Sequence, residues 1–176
     1  MASSTYQGRI KQGMGTLIGN AGEYFVVAEL LRRYVIADLA PRNAPWVDVL
    51  ATNQDKSVRI RVKTKTDAAR DWVWNARPDG SIYLGILQSD DFTVLVDIAG
   101  EHTHPTYFII PTAKLNKRLD ELHRRWEEGK STRSRTSRMR RIGRSEEDRQ
   151  WLGQYGERWD FITTVASDRQ LAGQND

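Results

Sequence analysis

The chain of 176 residues contains no cysteine. That excludes disulfides, thiolate zinc sites and cysteine nucleophiles together. It also lacks any apolar run near the ~20 residues a membrane helix needs. The opening stretch, MASSTYQGRIKQGMG, has no apolar core of the kind a secretory signal carries. A soluble, cytoplasmic protein with no membrane partner is therefore expected. Histidine is sparse, and His102 and His104 lack a clear third zinc ligand.

Charge is present but unevenly placed. The formal net charge is +4, and seven cations with no acid fall in residues 130–144, KSTRSRTSRMRRIGR, which leaves −3 on the rest. A local basic run suits a polyanionic partner, or equally a solvated linker.

The pattern alternates between helix and strand. Asn20 reads as the N-cap of a helix over Ala21–Tyr34, with Glu23 three residues on as the second half of a capping box. At 100° per residue, Val26, Val27, Leu30, Leu31 and Tyr34 share an apolar face centred on Glu23. Strands are expected at 35–40, 46–51, 58–65, 71–75, 82–87, 92–98 and 107–110. Val58, Ile60 and Val62 alternate with Arg59, Arg61, Lys63 and Lys65. Pro111 opens a helix to about Glu128, and Ser145 caps a short one. Trp159–Val165 is expected to pack back on the body.

Three residues in this frame need one another. A carboxylate on an apolar helix face is costly unless paired, by several kcal/mol in order of magnitude. Glu23 has that problem, Asp48 has it beside Trp46 and Leu50, and Lys63 lies on a cationic strand face that needs anions. Two carboxylates can hold Mg²⁺, and a lysine can orient or deprotonate a water. The plain alternatives are a capping box for Glu23, a turn acid for Asp48 and a solvated strand face for Lys63.

The segments Gly22-Glu23, Pro45-Trp46-Val47-Asp48 and Arg61-Val62-Lys63, in that order on a helix and two strands, resemble the PD-(D/E)xK nuclease superfamily. The likeness spans roughly Gly19–Thr66, and more loosely 107–126. It implies an α/β (α+β mixed) fold with a restriction-endonuclease-like core, its mixed central sheet flanked by helices. The implied order is α-β-β-β-(β)-β-β-α plus a C-terminal helix. By the same likeness Glu23 and Asp48 would bind magnesium, and Lys63 would manage the attacking water. Arg59, Lys65, Arg133, Arg135, Arg138, Arg140, Arg141 and Arg144 would contact nucleic acid, DNA ahead of RNA. Folds of this kind often pair to cut both strands, so a homodimer is among the expectations.

Arg61 departs from the family pattern, which has Asp, Glu or Gln there. Arginine stays protonated and cannot ligate a metal. Two readings follow: a Mg²⁺-dependent phosphodiesterase with weakened metal affinity, or an inactive nuclease fold that binds nucleic acid or a protein. The expected organisation is an N-terminal extension (1–18), a core domain (19–129), a basic arm or linker (130–144) and a C-terminal helix and tail (145–176).

Overall fold

The computed structural model describes residues 14–41, 44, 46–52, 56–66, 69–83, 87–99, 103–129 and 137–167. Elements run α1 (Met14–Leu31), β1 (Ile36–Leu39), β2 (Val49–Thr52), β3 (Ser57–Thr66), β4 (Trp72–Asn75), β5 (Asp91–Ile98), β6 (Thr106–Pro111), α2 (Thr112–Glu128), β7 (Met139–Ile142), α3 (Glu146–Gly153) and α4 (Asp160–Ser167). Among the described residues no helix is long and apolar enough to cross a membrane.

Five strands form one sheet in the order β1-β2-β3-β5-β6. Only the β3–β5 pair is parallel; the others are antiparallel. β3 is the long central strand because its alternation is unbroken. Val58 and Ile60 are buried on one side, and the cations stand on the other. The first side packs with Val26 and Leu30 of α1 and with Trp159 and Ile162 around α4. The second packs Leu95 and Ile110 against Leu115, Leu119 and Leu152 of α2 and α3, with Trp72 and Ile142. The mixed sheet flanked by helices is the architecture expected.

Several expectations need correction. Helix α1 begins at Met14, not after Asn20, so Asn20 lies inside the helix and no capping box places Glu23. Residues 14–18 are helical for the same reason: Leu17 and Ile18 continue the helix through Gly15 and Gly19. Leu31 and Tyr34, assigned to the core face, are exposed. Ile82, Tyr83 and Leu87 are not in a strand, and 84–86 lie outside the described residues. The basic run is not wholly an arm. Met139–Ile142 forms a two-stranded ribbon with β4, Trp72 opposite Ile142 and Trp74 opposite Arg140. Ser145 does cap α3, in a reciprocal box with Asp148.

Candidate active site

Asp48 is placed by the backbone. Its N–H donates to the Ile60 carbonyl (2.9 Å) and its own carbonyl accepts from Ala40 N–H (2.9 Å). It thereby closes the ladder just before β2. One rung further along β3, the Val62 N–H donates to Asp48 Oδ2 at 2.7 Å. The carboxylate thus replaces a missing strand residue and is aimed at β3.

Helix α1 brings Glu23 to the same place. Its neighbour Gly22 faces Thr64 of β3 so closely that a β-carbon there would collide with the Thr64 hydroxyl. Only glycine permits that approach, and the approach is what sets Glu23 beside the sheet. Burial raises the Glu23 carboxyl above its usual range; the charge of Asp48 adds to this and Arg61 opposes it. Burial also raises Asp48, against the Val62 hydrogen bond, Arg61 and Lys63. Lys63 is held below the usual lysine range, first by burial and then by Arg61, with Asp48 opposing. Its ammonium lies 5.7 Å from the Trp74 ring centre. Glu23, Asp48, Arg61 and Lys63 therefore share one electrostatic environment.

Arg61 points at Asp48. Its Nη1 stands 3.3 Å from Asp48 Oδ1. Tyr83, which sequence reasoning missed, is buried in the field of Arg61 and Asp48, next to Thr93 and Trp74, and burial pushes its hydroxyl up. It reaches the site from a loop, with no periodic signal to announce it.

Other predicted contact residues stand beside acids. Arg59 grips the fully buried Asp91 with two hydrogen bonds, 2.7 and 2.8 Å. Lys65 pairs with Asp97 and stands 4.7 Å from the Trp72 ring. Arg140 is buried, with Nε 3.7 Å from Asp120, and Arg141 is 3.4 Å from Asp71. Each of these four cations has an acidic neighbour in the structure. Arg138 and Arg144 are exposed. Arg133, Arg135, Pro45 and His102 lie outside the described residues. Beyond Lys65, an open cleft of about 600 Å³ is lined by Arg70, Trp72, Arg144 and Arg149 among others.

The site can be tested for a divalent cation. Magnesium commonly takes one or two protein carboxylates and keeps several waters. Glu23 and Asp48 meet that count, and burial is the first cause of the raised proton affinity of both. Among the described residues no group of three or more acid or histidine side chains could form a protein cage. The donor set fits a cation that keeps most of its water shell, with Arg61 opposing it.

Solved structures offer a comparison for this fold. A bacterial homing endonuclease, I-Ssp6803I, superposes with a TM-score of 0.56 at 16% identity, over 89% of this chain and 98% of that one. A Holliday junction resolvase from Archaeoglobus fulgidus gives a TM-score of 0.44 at 14% identity, over 82% and 95%. The chain has a restriction-endonuclease-like fold. No family model and no curated protein matches its sequence.

Proposed function

We propose that the protein acts on DNA and hydrolyses phosphodiester bonds at Glu23, Asp48 and Lys63. The observation that carries this is the convergence of the three groups, from a helix and two strands, with all three ionisations shifted by burial and by one another. Glu23 and Asp48 would hold magnesium, which when bound supplies positive charge to the phosphate and a more acidic water. Lys63, half-buried and with its proton weakened, holds or accepts a proton of the attacking water. Exposed Arg70 and Arg144 would meet backbone phosphates. The fold likeness to nucleases acting on DNA supports DNA ahead of RNA.

The Arg61–Asp48 ion pair favours a second reading, in which the guanidinium takes the cation's place and the protein binds DNA without cutting it. Incubation of supercoiled and linear DNA with Mg²⁺ or Mn²⁺ separates the two. Cleavage that Lys63→Ala abolishes supports hydrolysis. Salt-sensitive binding without cleavage supports the second reading, and absence of both defeats the proposal.

A further inference from the structure

Three of the four cations on one face of β3 are paired. Arg59 meets Asp91, Arg61 meets Asp48 and Lys65 meets Asp97. Lys63 is the exception, with no hydrogen bond and no ion pair among the described residues. Its amine stands over the Trp74 ring instead. A ring face at that distance holds an ammonium far less firmly than a carboxylate does. Burial, and then the charge of Arg61, favour the neutral amine against Asp48. A desolvated lysine beside a second cation is a recurrent form of amine nucleophile. Glu23 is likewise without a hydrogen bond or ion pair among the described residues. Asp48, in contrast, has one oxygen on the Val62 N–H and the other facing Arg61. Glu23 and Lys63 both lie in the field of Asp48 and Arg61. An unpaired base and an unpaired amine thus stand around one ion pair.

We infer that Lys63 attacks the aldehyde of an abasic deoxyribose in DNA and that Glu23 drives the elimination that follows, a lyase reaction that needs no metal. Intact nucleotides hold C1′ in a glycosidic bond; loss of the base frees it as the aldehyde, an electrophile that an amine can take. The Lys63 nitrogen bonds to C1′ of the opened sugar, and the aldehyde oxygen leaves as water. The iminium so formed acidifies the hydrogens on C2′. Glu23 accepts one of them as a proton. The electron pair of that C–H bond forms C2′=C3′, and the C3′–O bond breaks. One strand end departs as a 5′-phosphate, and the other keeps the unsaturated imine. Water hydrolyses the imine and frees Lys63. Arg61 acts in opposite senses on the two reactions of this site. It opposes a divalent cation at Asp48, and it keeps the amine neutral. The inference rests on the reading that the chain acts on DNA, and it does not require hydrolysis.

The test uses the full chain in EDTA with a duplex oligonucleotide that carries one abasic site. Sodium cyanoborohydride reduces an imine to a permanent link, so a protein–DNA adduct reports the amine that attacked. The wild type is expected to nick the strand at the abasic site and to form the adduct when the reductant is present. Lys63→Arg keeps a cation against Trp74 but forms no imine, and it is expected to lose both signals at least a hundredfold with an unchanged circular dichroism spectrum. Lys117→Ala, at an exposed lysine of α2, should trap within about twofold of the wild type. Arg61→Gln should trap at least threefold more slowly at pH 7, as the amine regains its proton. A duplex whose abasic sugar has been reduced to the alcohol should be neither nicked nor trapped. No adduct with the wild type overturns the inference, as does an adduct that persists in Lys63→Arg. Nicking of the reduced duplex in EDTA overturns it too. Adduct formation without cleavage of intact DNA in Mg²⁺ supports the inference while the hydrolytic reading fails. Cleavage of intact DNA in Mg²⁺ without an adduct does the reverse.

Discussion

Gly22 of α1 and Thr64 of β3 touch backbone to side chain, and the space between them excludes a methyl group. That contact sets the height of α1 over the sheet and therefore the position of Glu23. Gly22→Ala is expected to lose about 1–3 kcal/mol to overpacking, although alanine is the better helix former. Gly19→Ala, where nothing lies within 4 Å of the added carbon, should be neutral or stabilising by up to ~1 kcal/mol. Urea unfolding of the two variants reads the contrast; equal effects would show that the contact does not set the helix.

Arg59 should prove structural. Asp91 is fully buried, holds Arg59 with both oxygens and accepts from the Gln88 N–H at 2.7 Å. Arg59→Ala strands that carboxylate, and a loss of about 3–5 kcal/mol is expected. Arg144→Ala should leave stability alone while lowering the slope of log binding constant against log salt by about 1. Thermal unfolding and a DNA-binding salt series separate the two roles.

Arg61→Gln removes a cation 3.3 Å from Asp48 Oδ1. Affinity for Mn²⁺ by titration calorimetry is expected to rise at least tenfold. A change of under twofold would mean that the guanidinium does not compete for the carboxylates.

Glu23 is raised above its unfolded pKa by burial and by Asp48. The stability linked to its protonation is full below the unfolded value and is lost as pH rises through the folded one. At pH 7 the ionised group therefore destabilises the fold. Without metal, Glu23→Gln should raise the melting temperature at pH 7 and leave it nearly unchanged near pH 3. Solvent screening of this partly exposed group limits the gain to a few tenths of a kcal/mol. A lower melting temperature at pH 7 would contradict the burial argument.

What could be read from the sequence followed from clean periodicity. The strand over Val58–Lys65 alternates without a break, α2 has one apolar stripe, and Ser145 stands three residues before Asp148. The candidate site was legible for a similar reason: Lys63 sits at a definite parity on β3, Asp48 borders β2, and Gly22-Glu23 lie on a helix. Helix α1 misled because it is apolar on opposite sides. Angle alone put Leu31 and Tyr34 in the core, and the scattered glycines hid the helix start. The ribbon strand Met139–Ile142 was lost in a cationic run, since Arg140 is buried beside Asp120 and Trp74 only through tertiary pairing. Tyr83 carries no local signal. Nor could any pattern say that Arg59 and Lys65 are claimed by Asp91 and Asp97, which lie 32 residues further along the chain.

The central claim is that Glu23, Asp48 and Lys63 form one hydrolytic site. Its most direct test is plasmid DNA cleavage in Mg²⁺ or Mn²⁺ by the wild type, Lys63→Ala and Asp48→Asn, with native folding checked for each. The account predicts cleavage by the wild type and at least a hundredfold loss in both variants, with DNA affinity changed less than tenfold. Cleavage that persists at the wild-type rate in Lys63→Ala, or a wild type that binds DNA and never cuts it, would contradict it.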